Sequence, residues 1–345
     1  MDDHHRVGVR GLIVKTQGRA YAQTGHVMEE REMKLDLDFD KKREIPVGDS
    51  GRVRFRFRDI AVEPGKAVSL KKDFDPDFTG GYDDKEGALE KVAANVERLS
   101  AMQEILYAQD NYALLIIFQA MDAAGKDGAI RHVMSGINPQ GCQVTSFKAP
   151  STDDLDYGYL WRASKAVPGR GMIGIFNRSY YEDVLVVRVH PELLEKQKLP
   201  PSAHKADIFQ KRFKEINNFE KYLRQNGTIV LKFFLNVSKN EQKKRFLARI
   251  EEPEKNWKFS PSDYAERKYW DSYQTAFEDM LENTSTEWAP WFVIPADNKW
   301  FARLAVSEVI SAAFERLDLR MPEVSKARKN ELMQIRSQLL DEEDE

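Results

Sequence analysis

The stretch LLIIFQAMDAAGKDG, residues 114–128, restricts what this chain can fold into more than any other. Its apolar run at 114–118, rich in Leu and Ile, reads as a buried parallel strand. The turn Ala123-Ala124-Gly125 closes that strand, and Lys126-Asp127-Gly128 opens a helix that continues through Ile130, Val133 and Met134. A strand, a tight turn and a helix N-terminus make a concave ring of backbone N–H donors suited to phosphate, with Lys126 as a point charge beside it. The phosphate-loop pattern GxxxxGK[ST] is met only in part. Its first Gly falls at Ala120, and Asp127 stands where a Ser or Thr would hold magnesium. The competing reading is a plain buried strand-to-helix turn.

With 345 residues the chain can bury a large core, as one α/β domain with extensions or as two domains. Its formal balance of -3 argues against wholesale coating of nucleic acid but permits a local basic channel for an anionic ligand. No apolar segment is long enough to span a bilayer, and the start MDDHHRVGVRG lacks a signal peptide's apolar stretch. A cytoplasmic protein with no membrane or nucleic-acid partner is therefore expected. Cys142 is the single cysteine, which rules out an intrachain disulfide or a cysteine metal cluster; its apolar neighbours favour buried filler over a nucleophile.

Residues 1–30 show no periodicity and read as loose, with His4 and His5 on a mobile terminus rather than on a metal. The alternation RVRFRFRDIAV at 52–62 predicts an edge strand with a basic face, the alternative being a solvated strand with no ligand role. At 73–82, DFDPDFTGGY spaces Asp73, Asp75 and Asp77 alternately but lacks the rest of a calcium loop, so an ordered linker is the better reading. Apolar positions from Leu89 to Leu106 recur at three and four and predict an amphipathic helix over 84–109. Further strands are predicted at 142–147, 172–176, 228–237 and 291–296, with helices at 153–166, 207–225 and 299–317. This alternation implies a mostly parallel five-stranded sheet covered on both faces. The interval between the last two strands is rich in Lys and Arg, and helical spacing sets Lys244 and Arg245 near Arg249, on a phosphate-facing lid helix or on a solvated face. The segment ARKNELMQIRSQLLDEEDE at 327–345 predicts a helix carrying Leu332, Ile335 and Leu339 and then an acidic tail, available for docking or oligomer formation.

Two carboxylates flanking a phosphate nest would repel the ligand unless magnesium sits between them, which makes Asp122 and Asp127 metal candidates. For Asp127 the simpler alternative is a favourable acid at a helix N-terminus. In an open parallel sheet the carboxyl ends of the strands face the ligand crevice, so Arg178 in NRSYYEDV can reach a phosphate held at the loop. Glu182 and Asp183 follow at helical spacing, to hold metal through water, orient Arg178 or cap a turn. Arg188 and His190 sit in VVRVHP, where a structural role for the histidine is favoured. In KAPSTDDLDYGYLWRASK, Lys148, Asp153, Asp154, Trp161 and Arg162 either border a base and its phosphate or pin a helix to the sheet.

The motifs FQAMDAAGKDG (118–128), GCQVTSFKAPS (141–151), YLWR (159–162), IGIFNRSYYEDVLVVRVHP (173–191), FFLNVSKNEQKKRFLARI (233–250) and WKFSPSDYAERKYWDSY (257–273) resemble the polyphosphate kinase 2 family over 74–317. The resemblance implies a three-layer, thymidylate-kinase-like P-loop kinase fold with a helical lid. It also implies phosphoryl transfer between inorganic polyphosphate and nucleotides with Mg2+ or Mn2+. It makes Asp122, Ala123, Ala124, Gly125, Lys126, Asp127 and Gly128 the phosphate-loop set and Arg178 the arginine after the third strand. Lys148, Arg162 and Arg188 would join the phosphate or nucleotide contacts, and Lys244, Arg245 and Arg249 would bound the polyphosphate path. Many members carry Asp-Arg-Ser where this chain has Asn177-Arg178-Ser179, which shifts metal binding toward Asp122, with Glu182 as a substitute ligand. The wording is similar to the subgroup that phosphorylates both nucleoside mono- and diphosphates. Expected ligands are therefore polyphosphate, AMP, ADP and ATP, with guanine nucleotides as further candidates, in a reversible reaction. By resemblance the chain would form a homodimer or homotetramer.

The expected organisation is an extension at 1–83, a phosphotransferase domain at 84–317 with its lid at 239–285, and a helix with acidic tail at 318–345. Rival readings are an ATP-dependent nucleoside monophosphate kinase and a polyphosphate- or nucleotide-binding protein without turnover.

Overall fold

The computed structural model describes residues 35, 37, 39–41, 43–47, 51–81, 85–203 and 207–342. The expectations for 1–30, with His4 and His5, and for the last acidic residues at 343–345 lie outside them.

Strands β1 (Arg43–Val47) and β2 (Gly51–Phe55) form an antiparallel pair ahead of the main body. The body alternates helix and strand: α1 (Lys85–Gln109), β3 (Ala113–Ala120), α2 (Lys126–Val133), β4 (Cys142–Ser146) and β5 (Ile173–Asn177). It continues with α3 (Ile208–Gln225), β6 (Thr228–Asn236), α4 (Lys239–Glu251), α5 (Trp270–Thr284), β7 (Trp291–Pro295) and α6 (Lys299–Arg316). The five strands β3 to β7 make one sheet in the order β4-β5-β3-β6-β7, parallel throughout. Consecutive parallel strands need a crossover, and the helices supply it.

β3 and β6 lie at the centre, and their side chains are buried almost without break because both faces of the sheet are covered. Helices α1, α2 and α6 pack together as one layer and α3 and α5 as another. Phe118, Phe233 and Phe292 pack as tilted rings across neighbouring strands, with centroids 5.3 and 5.9 Å apart. None of the described helices is long and apolar enough to cross a membrane.

Two local expectations differ from the structure. At 153–166 a continuous helix does not form: Ser151 and Asp154 cap one another reciprocally, a single 3-10 turn covers Asp154–Asp156, and helix resumes only at Trp161–Ser164 after Gly158. The alternating stretch at 52–62 is a strand only in its first half. It then turns, buries Phe57 and Ile60, and adds an antiparallel bridge to β7 through Ala61 and Phe292, with Val62 N–H donating to Trp291 O at 2.9 Å. Through residue 81 the expected linker is ordered by its aspartates: Asp73 accepts from Ser69 N–H at 2.7 Å and Asp75 from Asp77 N–H at 3.0 Å. The aspartates cap turns, as their type favours.

A buried charge lies behind the sheet. Lys232 on β6 and Glu220 on α3 are wholly buried and 2.7 Å apart. Lys232 Nζ also donates to Thr284 O at the end of α5 at 2.6 Å. Glu220 accepts from the hydroxyls of Tyr180 and Tyr181 at 2.8 and 2.7 Å. Burial pulls the Lys232 ammonium below its ordinary value, and the adjacent carboxylate opposes that shift.

Candidate active site

The site is built at the carboxyl ends of β3 and β5, where an open parallel sheet leaves its crevice. β3 ends at Ala120, the chain reverses through Ala123 at φ 60° and Gly125 at φ 105°, and α2 begins at Lys126. A Cβ at position 125 would have room, 3.7 Å from Arg245 Nη1; the left-handed backbone is what calls for glycine. The first amides of α2 have no acceptors within the helix and are available to an anion.

Helix α4 holds this loop from behind. Gln242 Nε2 donates to Asp122 O at 2.9 Å, and Arg245 Nη1 donates to Ala123 O and Ala124 O at 3.0 and 2.8 Å. Arg245 Nη2 reaches Ala296 O and Asp297 O at 2.6 and 3.0 Å, and its Nε reaches Glu241 at 2.9 Å. The guanidinium is thus fully engaged and buried. Arg245 braces the loop and the turn after β7, and where it borders the cavity its donors are already engaged.

Arg178 leaves β5 in a left-handed conformation, φ 62°, its N–H fixed on Phe118 O at 3.0 Å. Its guanidinium lies 3.1 Å from Asp122 Oδ1 and 3.6 Å from Glu182 Oε2. Glu182, with Asp122 after it, holds the Arg178 guanidinium in its charged form, whereas burial pushes the Glu182 carboxyl above its usual range against the pull of Arg178 and Lys126. Lys126 is half-buried. Desolvation lowers its pKa, Arg178 adds to that, and the surrounding carboxylates oppose it. Asn177 Nδ2 donates to Asp127 Oδ1 at 2.7 Å, so the amide at this position makes a contact that a second carboxylate would replace with repulsion.

A cavity of 810 Å³ opens beside the loop. Lys126, Arg178, Lys148 and Arg249 line it, as do Lys255 and Lys258 from the turn after α4. Three further cations come from other helices: Arg131 from α2, and Lys299 and Arg303 from α6. Desolvation and neighbouring cations lower both Lys299, where Glu241 opposes the shift, and Arg303, against Arg131, as expected where positive charge is gathered in excess. The carboxylates along the groove are Asp122, Asp127 and Asp263. Burial, reinforced by Asp122, raises the Asp263 carboxyl, while Arg249 at 3.6 Å opposes that shift.

Several residues named from sequence lie elsewhere. Lys244 is 77% exposed and pairs only loosely with Glu241, at 3.8 Å. Arg188 pairs with Asp279 and lies over the Phe209 ring, away from the groove. Arg162 donates to Lys148 O at 2.7 Å and covers Phe147, so it supports the Lys148 backbone. His190 is a structural group, held by Glu266 at 3.0 Å and packed on Tyr269. Trp161 stacks on half-exposed Tyr157 at 4.0 Å rather than joining the core.

Sequence reasoning passed over Arg131, Lys299 and Arg303 because they sit in helices whose periodicity reads as core packing. A signal was present for the last two. They lie in the first turns of α6, where positive charge opposes the helix dipole and calls for another reason.

Among the described residues no three His, Cys, Asp or Glu side chains converge as a metal cage. Asp122 and Asp127 at the loop fit instead an ion of the magnesium type, which takes one or two protein carboxylates and completes its shell with phosphate oxygens and water.

Comparison with known proteins agrees with this arrangement. Residues 82–322 match the family described as Polyphosphate kinase 2 (PPK2). The chain is 52% identical over 289 residues to an ADP-polyphosphate phosphotransferase of Rhodopseudomonas palustris, covering 84% of this chain and 100% of that protein. It is 44% identical over 267 residues to an AMP/ADP-polyphosphate phosphotransferase of Meiothermus ruber, covering 77% and 96%. The crystal structure of polyphosphate kinase 2 from Arthrobacter aurescens TC1 superposes with a TM-score of 0.71 at 41% identity, over 80% of this chain and 99% of that one. With its parallel sheet, its phosphate loop on β3 and α2 and these relatives, the chain has a P-loop kinase fold and belongs to the polyphosphate kinase 2 family.

Proposed function

We propose that this protein transfers phosphoryl groups from inorganic polyphosphate to AMP and ADP, making ADP and ATP, and that the reaction runs in both directions. The observation that carries the reading is the row of cations beyond the phosphate loop. Lys126 and Arg178 suffice for one phosphate; Arg131, Arg249, Lys255, Lys258, Lys299 and Arg303 extend positive charge along the cavity, as a long polyanion requires.

Phosphoryl transfer needs positioning and charge neutralisation more than covalent help. Lys126 and the amides opening α2 hold the transferred group. Arg178, fixed by Asp122 and Glu182, places its fork against the charge that develops on it. The acceptor oxygen of AMP or ADP is ionised near neutral pH, so no general base is required. Asp122 and Asp127 would hold Mg2+ or Mn2+, with Glu182 as a further ligand, and a bound ion would neutralise phosphate oxygens. Residues 239–285 act as a lid on the 84–317 domain, with 1–83 and 318–345 as extensions. Guanine nucleotides as acceptors and assembly into a dimer or tetramer belong to the same proposal, on the strength of the resemblance.

The test is product analysis with purified protein, magnesium and AMP or ADP, comparing long-chain polyphosphate with ATP as donor and excluding adenylate kinase contamination. Polyphosphate-dependent ADP and ATP are expected. Turnover with ATP alone would replace the proposal with an ordinary nucleoside monophosphate kinase.

A further inference from the structure

Beyond the matched residues 82–322 the chain forms one more helix, α7 (Lys326–Asp341). Ser325 caps it, accepting from Arg328 N–H at 3.2 Å, and Arg328 pairs with Glu331 at 2.6 Å. No residue of α7 is buried. Leu332, Met333, Ile335, Leu339 and Leu340 are between 40% and 66% exposed. A helix of this length is marginal in water without tertiary support, and most helical stability comes from packing an apolar face. Among the described residues of its own chain, none covers that face.

Leu332, Ile335 and Leu339 are spaced by three and four, the seam of a two-helix coiled coil. Charge along the helix is divided. Lys326, Arg328 and Lys329 occupy its first turn, and Asp341 and Glu342 close it, followed in sequence by Glu343, Asp344 and Glu345. A like helix laid antiparallel sets the three apolar residues of each copy against those of the other and brings each basic start beside an acidic end. A parallel arrangement would put like charges together at both ends. Two-fold self-complementarity of this kind is the mark of an isologous contact.

We propose that α7 is an interaction surface for a second copy of this chain, paired antiparallel through Leu332, Ile335 and Leu339 and oriented by the opposed charge of its two ends. The surface lies outside the catalytic groove, so turnover serves as a folding control and the proposal stands apart from the reaction assigned above. The ion pairs are solvent-exposed, so association weakens as salt is raised.

Sedimentation of the full chain over micromolar concentrations tests it with four proteins. These are the unaltered chain, Leu332→Glu with Leu339→Glu, Arg328→Glu with Lys329→Glu, and that last pair combined with Asp341→Lys and Glu342→Lys. Expected are halving of the assembled mass, or at least about a tenfold weaker association, in the second and third and its recovery in the fourth, at undiminished turnover per chain. Identical mass in all four overturns the proposal. Loss of assembly in the leucine variant without charge rescue also overturns it, since the face would then dock on the body of the protein or on another partner.

Discussion

Arg178 and Asp122 meet 3.1 Å apart across the mouth of the phosphate loop, one from the end of β5 and the other from the turn after β3. The pair is partly exposed, so it contributes little to folding. Its value is to hold a guanidinium, already set in a left-handed backbone, where a phosphoryl group would pass. Replacing Asp122 by Asn is expected to lower kcat by about 100-fold or more, while the melting temperature stays close to that of the unaltered protein. Steady-state kinetics and a thermal melt check this together, and retained metal-dependent turnover would remove Asp122 from the mechanism.

Arg245 acts differently. Its replacement by Met leaves the carbonyls of Ala123, Ala124, Ala296 and Asp297 without their donor. A stability loss of about 2–4 kcal/mol is expected from unpaired buried acceptors. Arg245→Lys recovers only part of it, because an ammonium cannot reproduce the planar fork. Urea unfolding measures both, and an unchanged midpoint in the Met variant would contradict the brace.

The cationic row makes a separate prediction. Lys299→Gln combined with Arg303→Gln is expected to raise the KM for long-chain polyphosphate by about tenfold, equivalent to ~1.4 kcal/mol, with kcat changed far less. The salt dependence of KM should also become shallower. Equal losses in kcat and kcat/KM would place these residues at the reacting phosphate instead.

Glu182 carries a pH signature. Its folded-state carboxyl is raised above the ordinary 4.5 by burial. Below 4.5 both folded and unfolded states hold the proton and the group contributes nothing. As pH rises past that value the unfolded chain releases its proton first, so stability falls until the folded carboxyl also ionises. Glu182→Gln should therefore show a flatter fall in stability over the window opening at 4.5, measured by denaturant melts in a pH series.

The sheet was legible because β3, β5, β6 and β7 are short apolar runs between helical periods, the pattern of buried parallel strands, whereas β4, CQVTS at the sheet edge, is largely exposed and was placed by its position in the alternation. The phosphate loop was legible from Gly125 and Lys126 after such a run. What escaped was direction. Arg245 and Lys244 are adjacent in a basic segment, yet one is buried under the loop and the other is in solvent, and helical spacing alone does not say which face meets the body. Arg131, Lys299 and Arg303 are brought to the groove by packing between α2 and α6; cations in the first turns of α6 were a local sign of some outside partner but not of which one. The place of Asn177 is likewise a matter of the fold, since its amide proton goes to Asp127, fifty residues away.

The buried pair Lys232 and Glu220 also bears on how the segment between β6 and β7 is held. Glu220 ties down the tyrosines that follow Arg178, and Lys232 secures the last carbonyl of α5. At the other end, Gln242 and Arg245 fasten α4 to the phosphate loop. The segment between β6 and β7 is therefore anchored at both of its roots. Its middle, the short turns from Pro253 to Tyr269 that carry Lys255, Lys258 and Asp263, is stayed as well: Arg267 donates to Gln242 at 2.6 Å and Glu266 meets His190 at 3.0 Å. The protein is arranged as an arch with fixed footings and a stayed crown, which carries Lys255 and Lys258 to the groove while the catalytic floor keeps its shape.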